Sequence, residues 1–284
     1  MSHQAESRAH SPRSALLTRP WHGIGLVLCL VATAPVTAQR LNDTGQIICY
    51  DTSAATGTVG VDDNPEPAGF EGQDCTSGAA AADALGVYYK IGDSTAPGRD
   101  YSKIANDGSE LAASATLGSG PSDWACTRDN VTGLIWEIKT TDRATLRYLN
   151  HTYTWYDTDP TVNGGDAGEI NGLASCNFSM FPYGQCNTTD FRDRVNALTD
   201  AERLCGATDW RLPTDMELHS LMHYGASSSI DSTWFPNSVA DFYWSGVDYA
   251  LFLSQAYYLN FDTLRISGHS KSNLNRVRLV RGGQ

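Results

Sequence analysis

The sequence predicts a disulfide-stapled α+β domain of short antiparallel strands and two helices, preceded by a loop-rich N-terminal region. Three observations point there. Short β-prone aromatic segments gather in the second half, at 134–136, 242–244 and 257–261. Two segments carry helix start signals, and six cysteines stand as an even set once Cys29 is set aside. With 41% hydrophobic and 10% aromatic residues over 284 positions, the composition is globular and excludes wholesale disorder or a fibrous repeat.

The chain opens with Arg8, Arg13 and Arg19, then an apolar run over 23–34, then Val36-Thr37-Ala38, a small-x-small pattern. This predicts a secretory signal peptide over 1–38, cleaved after Ala38. Cys29 lies within the apolar run, and Leu28 stands where a lipid-attachment motif needs a small residue, so Cys29 is read as discarded with the leader. No later stretch approaches the roughly 20 apolar residues of a membrane span, so none is expected after cleavage. The expected location is periplasmic, cell-surface or extracellular.

The six remaining cysteines, Cys49, Cys75, Cys126, Cys176, Cys186 and Cys205, fit an oxidising compartment. Fifteen pairings are possible. Short spacing favours Cys49 with Cys75 and Cys176 with Cys186, which leaves Cys126 for Cys205. No C-x-x-C occurs, so a thioredoxin-like redox site or zinc ribbon has little support.

Residues 39–122 are rich in Gly, Ala, Ser and Asp, with dense turn signals at 62–67 and a small-residue run at 78–82, and read as loops. Residues 123–284 hold the principal core. The first helix is predicted to start at Thr189 and Asp190, to bury Phe191, Val195, Leu198 and Leu204, and to end at Cys205-Gly206. The second starts at Thr214, where Glu217 completes a capping box and Leu218, Leu221 and Met222 recur at helical spacing. Near the end, Tyr257, Leu259 and Phe261 share one strand face, Val277 and Leu279 share a face of a final strand, and 267–275 reads as a polar loop between them.

A series of motifs then follows in order: Asp129-Asn130-Val131-Thr132-Gly133-Leu134-Ile135-Trp136-Glu137, His151-Thr152-Tyr153-Thr154-Trp155-Tyr156, Cys205-Gly206, Asp209-Trp210-Arg211-Leu212-Pro213-Thr214, Tyr243-Trp244-Ser245 and Val277-Arg278-Leu279-Val280-Arg281-Gly282-Gly283. In this the chain resembles the Lcl C-terminal domain family, named after a bacterial collagen-like adhesin, over roughly residues 123–284. The resemblance implies an exported bacterial protein with a C-type-lectin-like or sulfatase-modifying-factor-like α+β fold; many members have no assigned activity. Formylglycine-generating oxidases of that wider fold group need a late cysteine pair, and no cysteine follows Cys205. The family often carries a cysteine where Leu279 stands, so the partner of Cys126 stays open at this point.

Candidate chemistry is sparse. His219 and His223 stand four apart as in zinc helices, but Ser220 replaces the glutamate of the hydrolytic motif and Glu217 serves as a cap, so surface histidines are expected. Asp157, Asp159, Asn163 and Asp166 give a Gly-containing loop the oxygen-rich composition that calcium requires. Thr161 breaks the EF-hand spacing, and a solvated acidic loop is expected, with no cofactor. No serine elbow, P-loop or dinucleotide fingerprint occurs, and the chain is expected not to be an enzyme.

The net charge of −12 argues against nonspecific nucleic-acid binding. Against that background, Arg265, Lys271, Arg276, Arg278 and Arg281 fall in a C-terminal stretch with no acidic residue. Arginine forks suit sulfate and carboxylate groups, and Tyr249 and Tyr258 offer rings for sugars, so Arg265, Lys271, Arg276, Arg278, Tyr249 and Tyr258 form the predicted ligand set. The opposing reading pairs these cations with internal carboxylates. Trp136, Trp210 and Trp244 are assigned to packing. The expected function is a non-catalytic exported module that binds a surface glycan or anionic polysaccharide; the alternative is an assembly subunit whose same face meets a protein partner.

Overall fold

In the computed structural model, which describes residues 49–50, 62–63, 69, 71–84, 100–172, 176, 185–224 and 229–282, the stretch from 101 to 282 builds two antiparallel sheets. The predicted leader and Cys29 lie outside the described residues. Toward the N-terminus, β1 (Cys49–Tyr50) pairs with β2 (Asp62–Asp63), and the run read as loop at 78–82 is instead mostly α1 (Ala79–Ala84), following a wide turn at Asp74–Gly78. Alanine has the highest helix propensity, which explains that correction.

The larger sheet joins β3 (Tyr101–Ala105), β4 (Glu110–Leu111), β5 (Trp124–Asp129), β6 (Leu134–Glu137) and β10 (Val280–Gly282) in the order β10-β6-β5-β3-β4. β3 is buried at every position and pairs with β5 from Tyr101 opposite Asp129 to Ala105 opposite Trp124. The sheet thus draws a central strand from the segment that composition alone assigns to the loop-rich region. The β5–β6 hairpin is written locally: Asp129 Oδ1 accepts from the Val131 N–H at 2.9 Å, and Gly133 takes a positive φ of 75° to return the chain.

α2 (Thr188–Asn196) is started by Asn187, whose side chain accepts from the Asp190 N–H at 2.8 Å. It ends well before Cys205, contrary to the predicted extent. The Asn196 amide exchanges two hydrogen bonds with the Trp210 backbone, and a turn at Thr199 and Glu202 competes with helix; Leu204–Gly206 forms a separate 3-10 turn in which Cys205 has φ 51°. α3 (Asp215–His219) begins at the predicted Thr214–Glu217 capping box. It stops after five residues, with Leu218, Leu221 and Met222 all buried.

The smaller sheet is a meander of β7 (Phe242–Asp248), β8 (Gln255–Asn260) and β9 (Arg265–Ser270). β9 takes in the first part of the stretch read as a polar loop, because its pairing with β8, from Arg265 opposite Asn260 to Ser270 opposite Gln255, rests on backbone bonds that polar composition conceals. The final strand starts at Val280, later than the pattern suggests, and Val280 stands opposite Trp136.

Two cores result. One holds Trp155, Phe191, Trp210, Trp244, Val277 and Leu279; the other holds Tyr101, Trp136, Trp234, Tyr243, Phe261 and Val280. Each such side chain contributes on the order of 1.5–3 kcal/mol by leaving water. Disulfides join Cys49–Cys75, Cys126–Cys205 and Cys176–Cys186, the pairing that spacing favours. Cys126 therefore reaches Cys205 with leucine at position 279.

Candidate functional site

The C-terminal cations do not form a surface strip. Arg278 is fully buried: Nη1 donates to the Glu137 carbonyl at 2.7 Å, Nη2 to Ser238 Oγ at 2.7 Å, and the guanidinium lies over the Phe235 ring. Arg276 donates to Asp241 at 3.0 Å and to the Leu149 carbonyl, and Arg281 pairs with Asp209. Lys271 is 2% exposed. Only Arg265, at the start of β9, presents an exposed side chain of the predicted cationic set. The reason is alternation: Val277 and Leu279 enter one core, which turns Arg278 toward the other, where the Glu137 carbonyl and Ser238 Oγ receive it.

Lys271 also accounts for the oxygen-rich loop. Its ammonium donates to the Asn163 carbonyl at 2.8 Å and the Asp166 carbonyl at 2.6 Å, above the Trp155 ring. Burial lowers its pKa, against the opposing pull of Asp166 and Asp248. The loop carboxylates serve their own turns: Asp157 accepts from the Asp159 N–H and pairs with Arg192, Asp159 accepts from Thr161, and Asp166 accepts from the Gly168 N–H. Among the described residues no group of three or more His, Cys, Asp or Glu side chains is placed to hold a metal. His219 closes α3 and contacts the Tyr224 hydroxyl, while His223 lies past the helix end and is buried, so the two imidazoles share no helix face.

The predicted aromatic pair separates. Tyr258 packs with Phe242 and His269 over the meander, half-buried. Tyr249 lies at the β7–β8 turn, edge-on to Tyr257 and stacked on Phe252, with its ring against Gly268, where any Cβ would collide. Beyond it the turn projects Leu251, Phe252 and Leu253, which are 73%, 58% and 57% exposed. Three consecutive large apolar side chains in water are unusual on a protein surface. Sequence reading missed them because an apolar run between two strands has the same composition whether it packs or projects.

A cavity of about 280 Å³ opens elsewhere, beside β5, β6 and the 140–147 turn. Leu117, Trp124 and Ile138 form its apolar wall, and Thr140, Arg147 and Asn237 its polar one. Lys139 also lines it and belongs to a buried ion cluster. Lys139 pairs with the fully buried Glu137 at 2.7 Å, and burial brings the Lys139 ammonium down to about 8 despite that partner. Glu137 also accepts from the Leu279 N–H at 2.9 Å.

A model of the Lcl C-terminal domain matches residues 125–281, more than half of the chain. The chain belongs to this family. No curated protein matches it.

Within the Lcl C-terminal domain, the motifs that carry the likeness are architectural. Asp129 and Gly133 make a turn, Trp136, Tyr153, Trp155, Trp210 and Trp244 are core, and Arg211 holds Glu217 in the capping box through two bonds of 2.7 and 2.6 Å. The exposed hairpin turn with Leu251, Phe252 and Leu253 lies outside those motifs. Among the described residues no helix is long and apolar enough to cross a membrane.

Proposed function

We propose that the chain is an exported, non-catalytic binding module of C-type-lectin-like fold that engages a protein partner at or beyond the cell surface through the β7–β8 turn. The observation that carries this reading is the exposed triplet Leu251, Phe252 and Leu253, held out by Tyr249 stacked against the meander. Aromatic and aliphatic anchors of this kind dominate protein interfaces when seated in a partner's pocket. Export is supported by three disulfides and by the leader pattern at 1–38. The lectin-like fold is supported by the closure of the domain's two ends on one sheet, where β10 returns to β6.

A surface glycan is the second reading. The stacked Tyr249 and Phe252 rings, 6.3 Å apart, favour it, since such pairs form platforms for sugar faces. The test places a photoreactive side chain at Leu251 or Phe252 in producing cells, with Thr263, an exposed turn residue, as control. A discrete protein adduct from the hairpin positions alone, lost in Leu253→Asp, supports the protein partner. Salt-sensitive binding on a glycan array, with no protein adduct, transfers the site to the second reading.

A further inference from the structure

We infer that the cavity beside the 140–147 turn is a binding site for a small carboxylate with an apolar body, distinct from the hairpin surface. Charge imbalance is the first ground. One buried carboxylate, Glu137, faces three cations: Lys139 in direct contact, Arg278 through its carbonyl, and Arg147, whose guanidinium feels the same charge. The buried side of the cavity, lined by Lys139 and Arg147, is thus electropositive, in a low dielectric where the field is weakly screened.

Arg147 is the second ground. Its Nη1 donates to the Ile138 carbonyl at 2.7 Å and the Ala125 carbonyl at 3.3 Å, which fixes the plane of the guanidinium in the cavity wall. Both of its side-chain bonds to the described residues leave from Nη1, so Nε and Nη2 are not engaged in them. Those two N–H groups form one edge of the fork, the edge that matches a carboxylate with two parallel bonds. The lining carboxylate Asp142 already accepts from the Ala144 N–H in its own turn.

The third ground is shape. A volume of about 280 Å³ equals roughly nine water molecules at about 30 Å³ each, too small for several units of a polymer and sufficient for one ring or branched chain with its carboxylate. Leu117, Trp124 and Ile138 receive the apolar body, and Thr140 and Asn237 stand among the polar lining.

The experiment titrates the full chain calorimetrically with benzoate, benzyl alcohol and sulfate. Saturable 1:1 binding of benzoate, at least tenfold tighter than either other probe, is expected. Arg147→Lys, which keeps the charge and loses the fork, should weaken benzoate at least tenfold. Because Arg147 also supports two carbonyls, Thr141→Asp on the exposed rim provides a second variant, expected to weaken benzoate by a similar factor without moving the melting temperature. No saturable benzoate binding, sulfate binding as tight as benzoate, benzyl alcohol binding as tight as benzoate, or insensitivity to both substitutions each overturns the assignment. Leu251→Asp should leave benzoate affinity unchanged, so failure here and failure of the hairpin reading are separately visible.

Discussion

The ammonium of Lys271 lies 2.6 Å from the main-chain carbonyl of Asp166, inside the loop whose composition invites calcium. A side-chain cation thus tethers the loop, and Asn163 supplies the second carbonyl. Lys271→Met leaves both acceptors without their donor, at an expected cost of about 2–3 kcal/mol. Urea unfolding measures it; an unchanged midpoint in the variant would remove the tether from the account.

The Cys126–Cys205 bond closes a loop of 79 residues between β5 and the turn after α2. Replacing both cysteines by alanine relaxes the unfolded chain and is expected to destabilise the domain by about 4 kcal/mol on the chain-entropy estimate. Calorimetric melting of the double variant under oxidising conditions tests this. A loss as small as that of a surface substitution would contradict it.

Acid should act through Glu217. Burial by itself raises that carboxyl, and the Arg211 fork with the Thr214 N–H outweighs burial, leaving it below its usual value. A depressed carboxylate contributes stability that is complete above its unfolded pKa of about 4.3 and disappears as pH falls through the folded value. Denaturation midpoints of wild type and Glu217→Gln should therefore differ at neutral pH and converge in acid. Parallel curves throughout would show that the carboxylate charge is irrelevant.

Asn187 has two tasks, capping α2 and donating from Nδ2 to the Ile170 carbonyl at 2.9 Å. Asn187→Ala is expected to cost about 1–2 kcal/mol, and Asn187→Ser to recover part of it by restoring the cap alone. Chemical denaturation of the three proteins separates the roles. Equal stability of the serine and alanine variants would assign the whole effect to Ile170.

What was legible in the sequence was local. The Thr214–Glu217 box lies within four residues and could be read directly, as could the disulfide spacings. Arg278 could not, because its partner carbonyl on Glu137 is 141 residues away and nothing near Arg278 announces it. The same distance hides Lys271, whose loop partners lie more than a hundred residues earlier. Charge counting could only set a surface strip against internal pairing, and the structure takes the second for Arg276 and Arg281. The interaction candidates were illegible for the converse reason: Leu251 and Phe252 are residue types that normally pack, and only the hairpin geometry exposes them.

The strand order also fixes a sequence of events. Val277 and Leu279 complete one core and Val280 the other, and β10 pairs with β6 from the far end of the chain. Neither core can close until residues 277–280 have been synthesised. The four residues 277–280 thus act as a single closing latch, and a truncation that removes them opens both interiors at once.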